Sequence, residues 1–87
     1  MITVYTRKTP PCSFCENAKA FLHMNSIPHR EVIVGDGGQM SLARFKEDFP
    51  TVKSFPYVIN GMQEEVGGYN ELKALFEETA RNKLLLG

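Results

Sequence analysis

Two cysteines, Cys12 and Cys15, are the residues best suited to covalent chemistry, and they are the only cysteines in the chain. They stand three positions apart in Thr9-Pro10-Pro11-Cys12-Ser13-Phe14-Cys15. The two prolines disfavour helix up to the first sulfur, because proline lacks an N–H and restricts the residue before it. A helical pattern then runs unbroken through Glu16-Asn17-Ala18-Lys19-Ala20-Phe21-Leu22. The chain should turn helical at Cys12 or just after it, which puts Cys12 at a helix N-terminus. Free N–H groups and the helix dipole favour negative charge there. A thiol so placed loses its proton more easily, and the thiolate is the reactive species. Cys15 lies one turn on, on the same face, within reach of Cys12. The spacing suits a disulfide that opens and closes, although CxxC alone also fits half of a metal site or chance.

The elements that must hold these sulfurs can be read in order. Ile2-Thr3-Val4-Tyr5 is a β-branched and aromatic run, a buried strand. A helix follows from about Ser13 to Asn25, with Cys15, Ala18, Phe21, Leu22 and Met24 facing inward, and Ser26-Ile27-Pro28 ends it. Glu31-Val32-Ile33-Val34 is a second strand that starts near His29. A second helix spans Met40 to Phe49, with Leu42, Phe45 and Phe49 at i, i+3 and i+7 as core positions, and Pro50 stops it. Tyr57-Val58-Ile59 is a third strand. Asn60-Gly61 signals a hairpin turn into a fourth strand over Met62 to Val66. Gly67-Gly68 breaks that strand. A last helix runs from about Asn70, as N-cap, to Lys83, with Leu72, Leu75, Phe76 and Thr79 or Ala80 inward. Leu84-Leu85-Leu86 is an apolar tail with two open readings, packing back or making a contact. The order βαβαββα implies a parallel first pair with a right-handed crossover, a terminal hairpin and helices on both faces of a small mixed sheet.

Composition narrows the function. At 87 residues, 43% of them hydrophobic and with six Phe and three Tyr, the chain reads as one domain over 1–87 that needs neither a disulfide framework nor a structural metal. A bridge between positions 12 and 15 closes so small a loop that it would stabilise the fold little. Ten basic residues balance ten acidic ones, which argues against a general nucleic-acid binder. The N-terminal residues lack an apolar stretch after a basic start, and no run approaches the ~20 residues of a membrane span. A reducing cytoplasm is the expected home, with no membrane partner. Arg7, Lys8, Lys19 and Arg30 outweigh Glu16 in the first thirty positions, so positive charge near Cys12 would favour its thiolate and attract an anion. For zinc the chain offers only Cys12, Cys15, His23 and His29. On a helix, His23 lies about 12 Å along the axis from Cys15, too far for one ion. Gly35-Asp36-Gly37-Gly38 follows a strand, but Met40 stands where a dinucleotide loop needs glycine, and no GK[ST] follows; it reads as a flexible turn.

A CxxC that follows a first strand and opens a helix within a βαβ pattern is the setting of a thioredoxin-like redox motif. Four stretches then carry a specific likeness: Ile2-Thr3-Val4-Tyr5, Cys12-Ser13-Phe14-Cys15, Phe55-Pro56 before a strand, and Gly67-Gly68-Tyr69-Asn70-Glu71-Leu72 before the last helix. In this order and at these spacings, the chain resembles a glutaredoxin of the short dithiol kind found in bacteria and phages, over nearly its whole length.

The resemblance implies an α/β thioredoxin fold, with a four-stranded mixed sheet and three helices. It implies a monomeric, cytoplasmic enzyme of electron transport, a glutathione-disulfide oxidoreductase that reduces protein disulfides and glutathione mixed disulfides. Cys12 would be the nucleophile and Cys15 the resolving thiol of a redox-active disulfide, with glutathione as cosubstrate. Pro56 would follow a cis peptide bond that turns the Phe55 backbone toward the sulfur. Gly67 and Gly68 would let glutathione approach the backbone closely. Asn70 and Glu71, at a helix N-terminus, would hold its γ-glutamyl end. Lys8 and Lys53 would meet its glycyl carboxylate, and Phe14 would wall the site in place of the common tyrosine. Disulfide-containing proteins, ribonucleotide reductase among them, would be partners.

One departure is Ser13, where dithiol members usually have proline. Some members with serine there carry a 2Fe-2S cluster between two subunits, held by the first cysteines and two glutathiones. A cluster-binding dimer, with Cys12 as its only metal ligand from this chain, is therefore an alternative. A relative reduced by thioredoxin reductase is another; Gly67 to Glu71 and the basic loop argue against it. A non-catalytic adaptor fits poorly while both cysteines are present.

Overall fold

The computed structural model describes residues 1–35 and 37–86, with side chains through residue 77 apart from Asp36. Seven elements appear in the expected order: β1 (Ile2–Thr6), α1 (Ser13–Met24), β2 (His29–Ile33), α2 (Leu42–Asp48), β3 (Tyr57–Ile59), β4 (Glu65–Gly67) and α3 (Tyr69–Leu86). The strands form one mixed sheet in the order β2-β1-β3-β4. β1 runs parallel to β2 and antiparallel to β3, and β3 pairs antiparallel with β4. Three helices and this four-stranded sheet make a thioredoxin-like fold.

Strand alternation divides the core between the two faces. Val4 on β1 lies opposite Val58 on β3, and both pack with Ala18 and Leu22 of α1 and Leu72 of α3. Tyr5 lies opposite Tyr57, and these two pack with Ile59, Val34 and Phe45 of α2 on the other face. A register shift of one residue in β1 would exchange these sets and leave both helix layers facing the wrong side chains.

Helix ends explain several differences from the sequence reading. α1 closes with a Schellman arrangement: Ser26 N–H donates to the His23 carbonyl (3.1 Å) and Ile27 N–H to the Leu22 carbonyl (2.9 Å). Ser26 adopts φ 55°, the left-handed conformation that favours glycine. The chain turns inward only at Ile27, so Met24 stays 80% exposed rather than facing the core. α2 starts later than the pattern suggests. Ser41 caps it by accepting from Arg44 N–H (3.1 Å), while Met40 is held outside by donating to the Ile33 carbonyl (3.2 Å). Leu42 is then the first helical residue and points outward, and only Phe45 and Phe49 of the expected stripe pack inward. In α3, Leu72 is buried while Leu75 is largely exposed. Thr79, Ala80 and Leu84 to Leu86 lie beyond the described side chains.

The loops differ too. The β3–β4 hairpin does not turn on a two-residue Asn60-Gly61 loop. Asn60 N–H donates to the Glu64 carbonyl, and Gln63, at φ 65°, closes a three-residue loop. The Asn60 Oδ1 accepts from Met62 and Glu64 N–H, so β4 begins only at Glu65, three residues later than expected. Gly61 is needed for closeness rather than for φ: a Cβ there would fall 2.7 Å from the Met1 nitrogen. At the expected glycine turn, Gly38 N–H donates to the Gly35 carbonyl and Gly35 N–H to the Met40 carbonyl.

Candidate functional site

Cys12 is the N-cap of α1, with extended backbone. Its carbonyl accepts from Glu16 N–H (3.2 Å) and its Sγ from Cys15 N–H (3.1 Å), so the sulfur takes the place of a capping oxygen. A hydrogen bond to sulfur at a helix N-terminus stabilises the thiolate. Cys12 and Cys15 are joined in a disulfide, with Cα atoms 5.2 Å apart. The two sulfurs are not equivalent. Cys15 is fully buried, whereas Cys12 keeps 8% of its surface. Of the two, only Cys12 keeps any exposed surface. The Phe55 carbonyl oxygen lies 3.7 Å from Cys12 Sγ, and the Phe55–Pro56 peptide is cis. A second cis bond, Thr9–Pro10, had no signal in the sequence.

Three clefts open near the head of α1 and the loop before β3. Phe14, Ser54, Phe55, Pro56, Gly68, Tyr69, Asn70 and Glu71 line one cleft. It adjoins a second that continues past Ser54, Pro56, Gly68 and Glu71 to Lys53, Thr51 and Gly67. The fold thus brings Phe14, Lys53, Phe55, Pro56, Gly67, Gly68, Asn70 and Glu71 along one continuous groove. Lys8 is not in it. It lines a separate cleft with Arg7, Pro11, Cys12, Ser13 and Glu16. Lys8 and Lys53 thus line different clefts.

The N-terminus of α3 also differs in detail. Glu71 folds back so that its Oε1 accepts from Gly68 N–H (3.1 Å), a carboxylate at the third helical position capping its own helix. Gly67 is tied to that arrangement. It has φ 117°, and a Cβ there would lie 2.9 Å from Glu71 Cγ and 3.0 Å from Oε1. The glycine pair therefore serves the Glu71 cap as well as leaving the groove open. Ser54 and Tyr69 line the groove without having been singled out in the sequence. For Tyr69 a signal existed: an aromatic residue directly after Gly67-Gly68. Its ring lies 6.4 Å from those of Phe14 and Phe21, and Phe14 itself is 55% exposed.

The positive charge expected near Cys12 is partly spent elsewhere. Lys19 pairs with Glu16 (3.0 Å) and Glu31 (3.1 Å), and Thr6 donates to the same Glu31 carboxylate (2.8 Å). The hydrogen bond to Glu16, helped by Glu31, raises the Lys19 pKa against a burial effect. Burial pushes Glu31 up, but the Thr6 and Lys19 hydrogen bonds and the Lys19 and Lys8 charges outweigh it and hold the carboxyl low. Arg7 Nε donates to the Pro10 carbonyl (3.0 Å), and Arg30 lies across from Thr3 on the sheet. Arg7 and Lys8 are thus the cations that share the cleft with Cys12. His29 Nδ1 meets the Ile27 carbonyl (2.9 Å), away from the sulfurs in the chain's β2 entry. Among the described residues no three His, Cys, Asp or Glu side chains gather as a metal-ligand set, and no helix is long and apolar enough to cross a membrane.

No protein-family description matches the sequence, and no curated protein matches it. Solved structures do. Glutaredoxin 1 from Francisella tularensis, in a crystal structure complexed with cacodylate, superimposes with a TM-score of 0.73 at 24% identity, covering 92% of this chain and 95% of that one. Actin interacting protein 5 (Aip5) superimposes with a TM-score of 0.60 at 22% identity, covering 99% of this chain and 98% of that one. At these identities the likeness establishes the fold: the chain has the thioredoxin-like fold of a glutaredoxin and carries the CxxC pair at the head of α1.

Proposed function

We propose that the protein is a glutathione-dependent thiol–disulfide oxidoreductase of the glutaredoxin kind, working in the cytoplasm. One observation carries this reading: of two cysteines at a helix N-terminus, the N-cap residue keeps some exposure and lines a cleft, while the other is fully buried. The Cys12 thiolate attacks the glutathione sulfur of a mixed disulfide, forming a Cys12–glutathione disulfide and releasing the client thiolate, which takes a proton. A second glutathione thiolate then attacks the glutathione sulfur on Cys12, giving oxidised glutathione and restoring the Cys12 thiolate. With a protein disulfide, Cys12 attacks one client sulfur and Cys15 then attacks Cys12 Sγ. This forms the Cys12–Cys15 bridge and frees a client dithiol; two glutathiones reduce the bridge and leave as one disulfide.

The groove supports a peptide of this size and polarity. The Phe55 backbone faces the sulfur, Phe14 and Tyr69 offer apolar walls, and Lys53 supplies a cation for the glycyl carboxylate. Asn70 and the remaining N–H groups at the start of α3 suit the γ-glutamyl end, whose binding would have to share Gly68 with Glu71. Lys8, which lines a cleft with Cys12, acts on the Cys12 thiolate by its charge.

The test is steady-state reduction of a small glutathione mixed disulfide, recycled by glutathione and glutathione reductase, with wild type and Cys15→Ser. Activity that persists in Cys15→Ser is expected. An inactive wild type would overturn the reading. It would shift weight to a protein served by thioredoxin reductase or to a 2Fe-2S cluster dimer. The exposed Ser13 and the residual exposure of Cys12, against a fully buried Cys15, fit a cluster shared between two copies, which would act as an electron or iron–sulfur carrier.

A further inference from the structure

The carbonyl that faces Cys12 belongs to a loop residue whose own ring is anchored deep on the opposite face of the sheet. Phe55 is half-buried, and its ring centroid lies 5.1 Å from that of Phe45 on α2. Among the described residues Phe45 is its only ring partner. Phe45 is 2% exposed and is itself fixed by Tyr5 (5.3 Å), Phe49 (5.2 Å) and Tyr57 (6.1 Å). A close-packed aromatic cluster transmits displacement rather than absorbing it. We propose that Phe45 is a positioning residue for the Cys12 site: its ring holds Phe55 so that the Phe55 carbonyl stays against the Cys12 sulfur.

The chemistry at the sulfur sets the consequence. In the reduced protein the Cys12 thiol can donate to the Phe55 carbonyl, which favours the protonated form, while Cys15 N–H favours the thiolate. Other groups near the thiol are Arg7 and Lys8 in its loop, Glu16 and Cys15 on α1, and Glu71 of α3 in the groove beyond. None of them touches Phe45 through a ring contact or hydrogen bond on the described residues. Loosening Phe55 should therefore remove the carbonyl's opposition and leave the other influences in place. The thiol would become more acidic. The backbone that an extended peptide pairs with would at the same time lose its fixed place.

The inference rests on Cys12 being the attacking thiol, so the test reads that thiol without glutathione. The pH profile of Cys12 alkylation by iodoacetamide, located by peptide mass, is measured on reduced wild type, Phe45→Met, Phe55→Leu and Phe49→Leu. Phe45→Met keeps apolar volume but removes the ring. Phe55→Leu removes the same contact from the half-buried side and serves if the core variant does not fold. The midpoint should fall by about 0.5 pH unit in both. Combining the two should add no further shift. Phe49→Leu loosens the same cluster one contact further from the Phe55 ring and should shift the midpoint less than either. For the glutathione mixed disulfide, Phe45→Met should raise KM more than it lowers kcat. Unchanged midpoints in Phe45→Met and Phe55→Leu would overturn the inference, as would an equal shift in Phe49→Leu. Failure of glutathione turnover alone would strike the proposed function and leave this result intact.

Discussion

Replacing Gly67 with alanine places a methyl group where the Glu71 side chain already lies. The Cβ would fall 2.9 Å from Glu71 Cγ and 3.0 Å from its Cβ and Oε1. Two separate penalties follow. Alanine at φ 117° is strained, at a cost on the order of 1–3 kcal/mol. Moving the Glu71 carboxylate off Gly68 N–H loses a capping interaction worth about 1 kcal/mol. The stiffer unfolded chain returns roughly 0.4–1 kcal/mol. The net loss is about 2 kcal/mol, which in a domain of this size lowers Tm by roughly 8–16 °C. Urea denaturation followed by circular dichroism on wild type, Gly67→Ala, Glu71→Ala and the double variant separates the terms. In the Glu71→Ala background the cap is already gone and only the backbone strain and the 3.0 Å contact with the Cβ of residue 71 remain, so Gly67→Ala should cost about 1 kcal/mol less there than in wild type. A Gly67→Ala protein as stable as wild type, or an identical cost in both backgrounds, would refute the reasoning.

Three further outcomes are expected. Ser26→Gly relieves the left-handed residue that closes α1 and should raise stability by about 0.5–1 kcal/mol; urea midpoints check it, and any loss would show that the serine side chain matters there. Glu31 has its pKa held below 4.5, so it adds stability that is fully present above 4.5 and is lost as pH falls through the lower folded value. Glu31→Gln should therefore be less stable than wild type at neutral pH but converge with it in acid, as read by melting curves from pH 7 to pH 3 (roughly the limit of that window). Phe14→Ala removes an exposed wall of the groove and should raise KM for a glutathione mixed disulfide about tenfold with little change in kcat, since the contact is to bound substrate rather than to the reacting sulfurs.

The sequence made the scaffold legible where a period or a breaker acts locally. Pro10-Pro11 ahead of Cys12 placed the start of α1, and the short β-branched runs placed β1 and β3. The shared groove of Phe55-Pro56 and Gly67 to Glu71 was reachable only through family resemblance, because those stretches meet across the sheet rather than along the chain. What was not legible depends on how ends and long side chains settle. Periodicity assigned Met24 and Leu42 inward, but a Schellman closure at Ser26 and a cap at Ser41 decided otherwise. Lys8 and Lys53 looked alike as cations near the site, yet only Lys8 lines the cleft that Cys12 lines, and Lys53 lines another. Lys19 looked available in sequence and is bound to two carboxylates brought by α1 and β2. Glu71 looked like a ligand residue, and its reach back to Gly68 is a property of its length that no pattern records.

The central claim is that Cys12 takes glutathione onto its own sulfur. Cys15→Ser cannot close the internal bridge, so this intermediate should accumulate when the protein is mixed with a peptide–glutathione disulfide and no free glutathione. Intact mass and peptide mapping on Cys15→Ser should find the glutathionyl group on Cys12 and the peptide released as a free thiol. The account is contradicted if the peptide rather than glutathione stays on Cys12, or if no adduct forms.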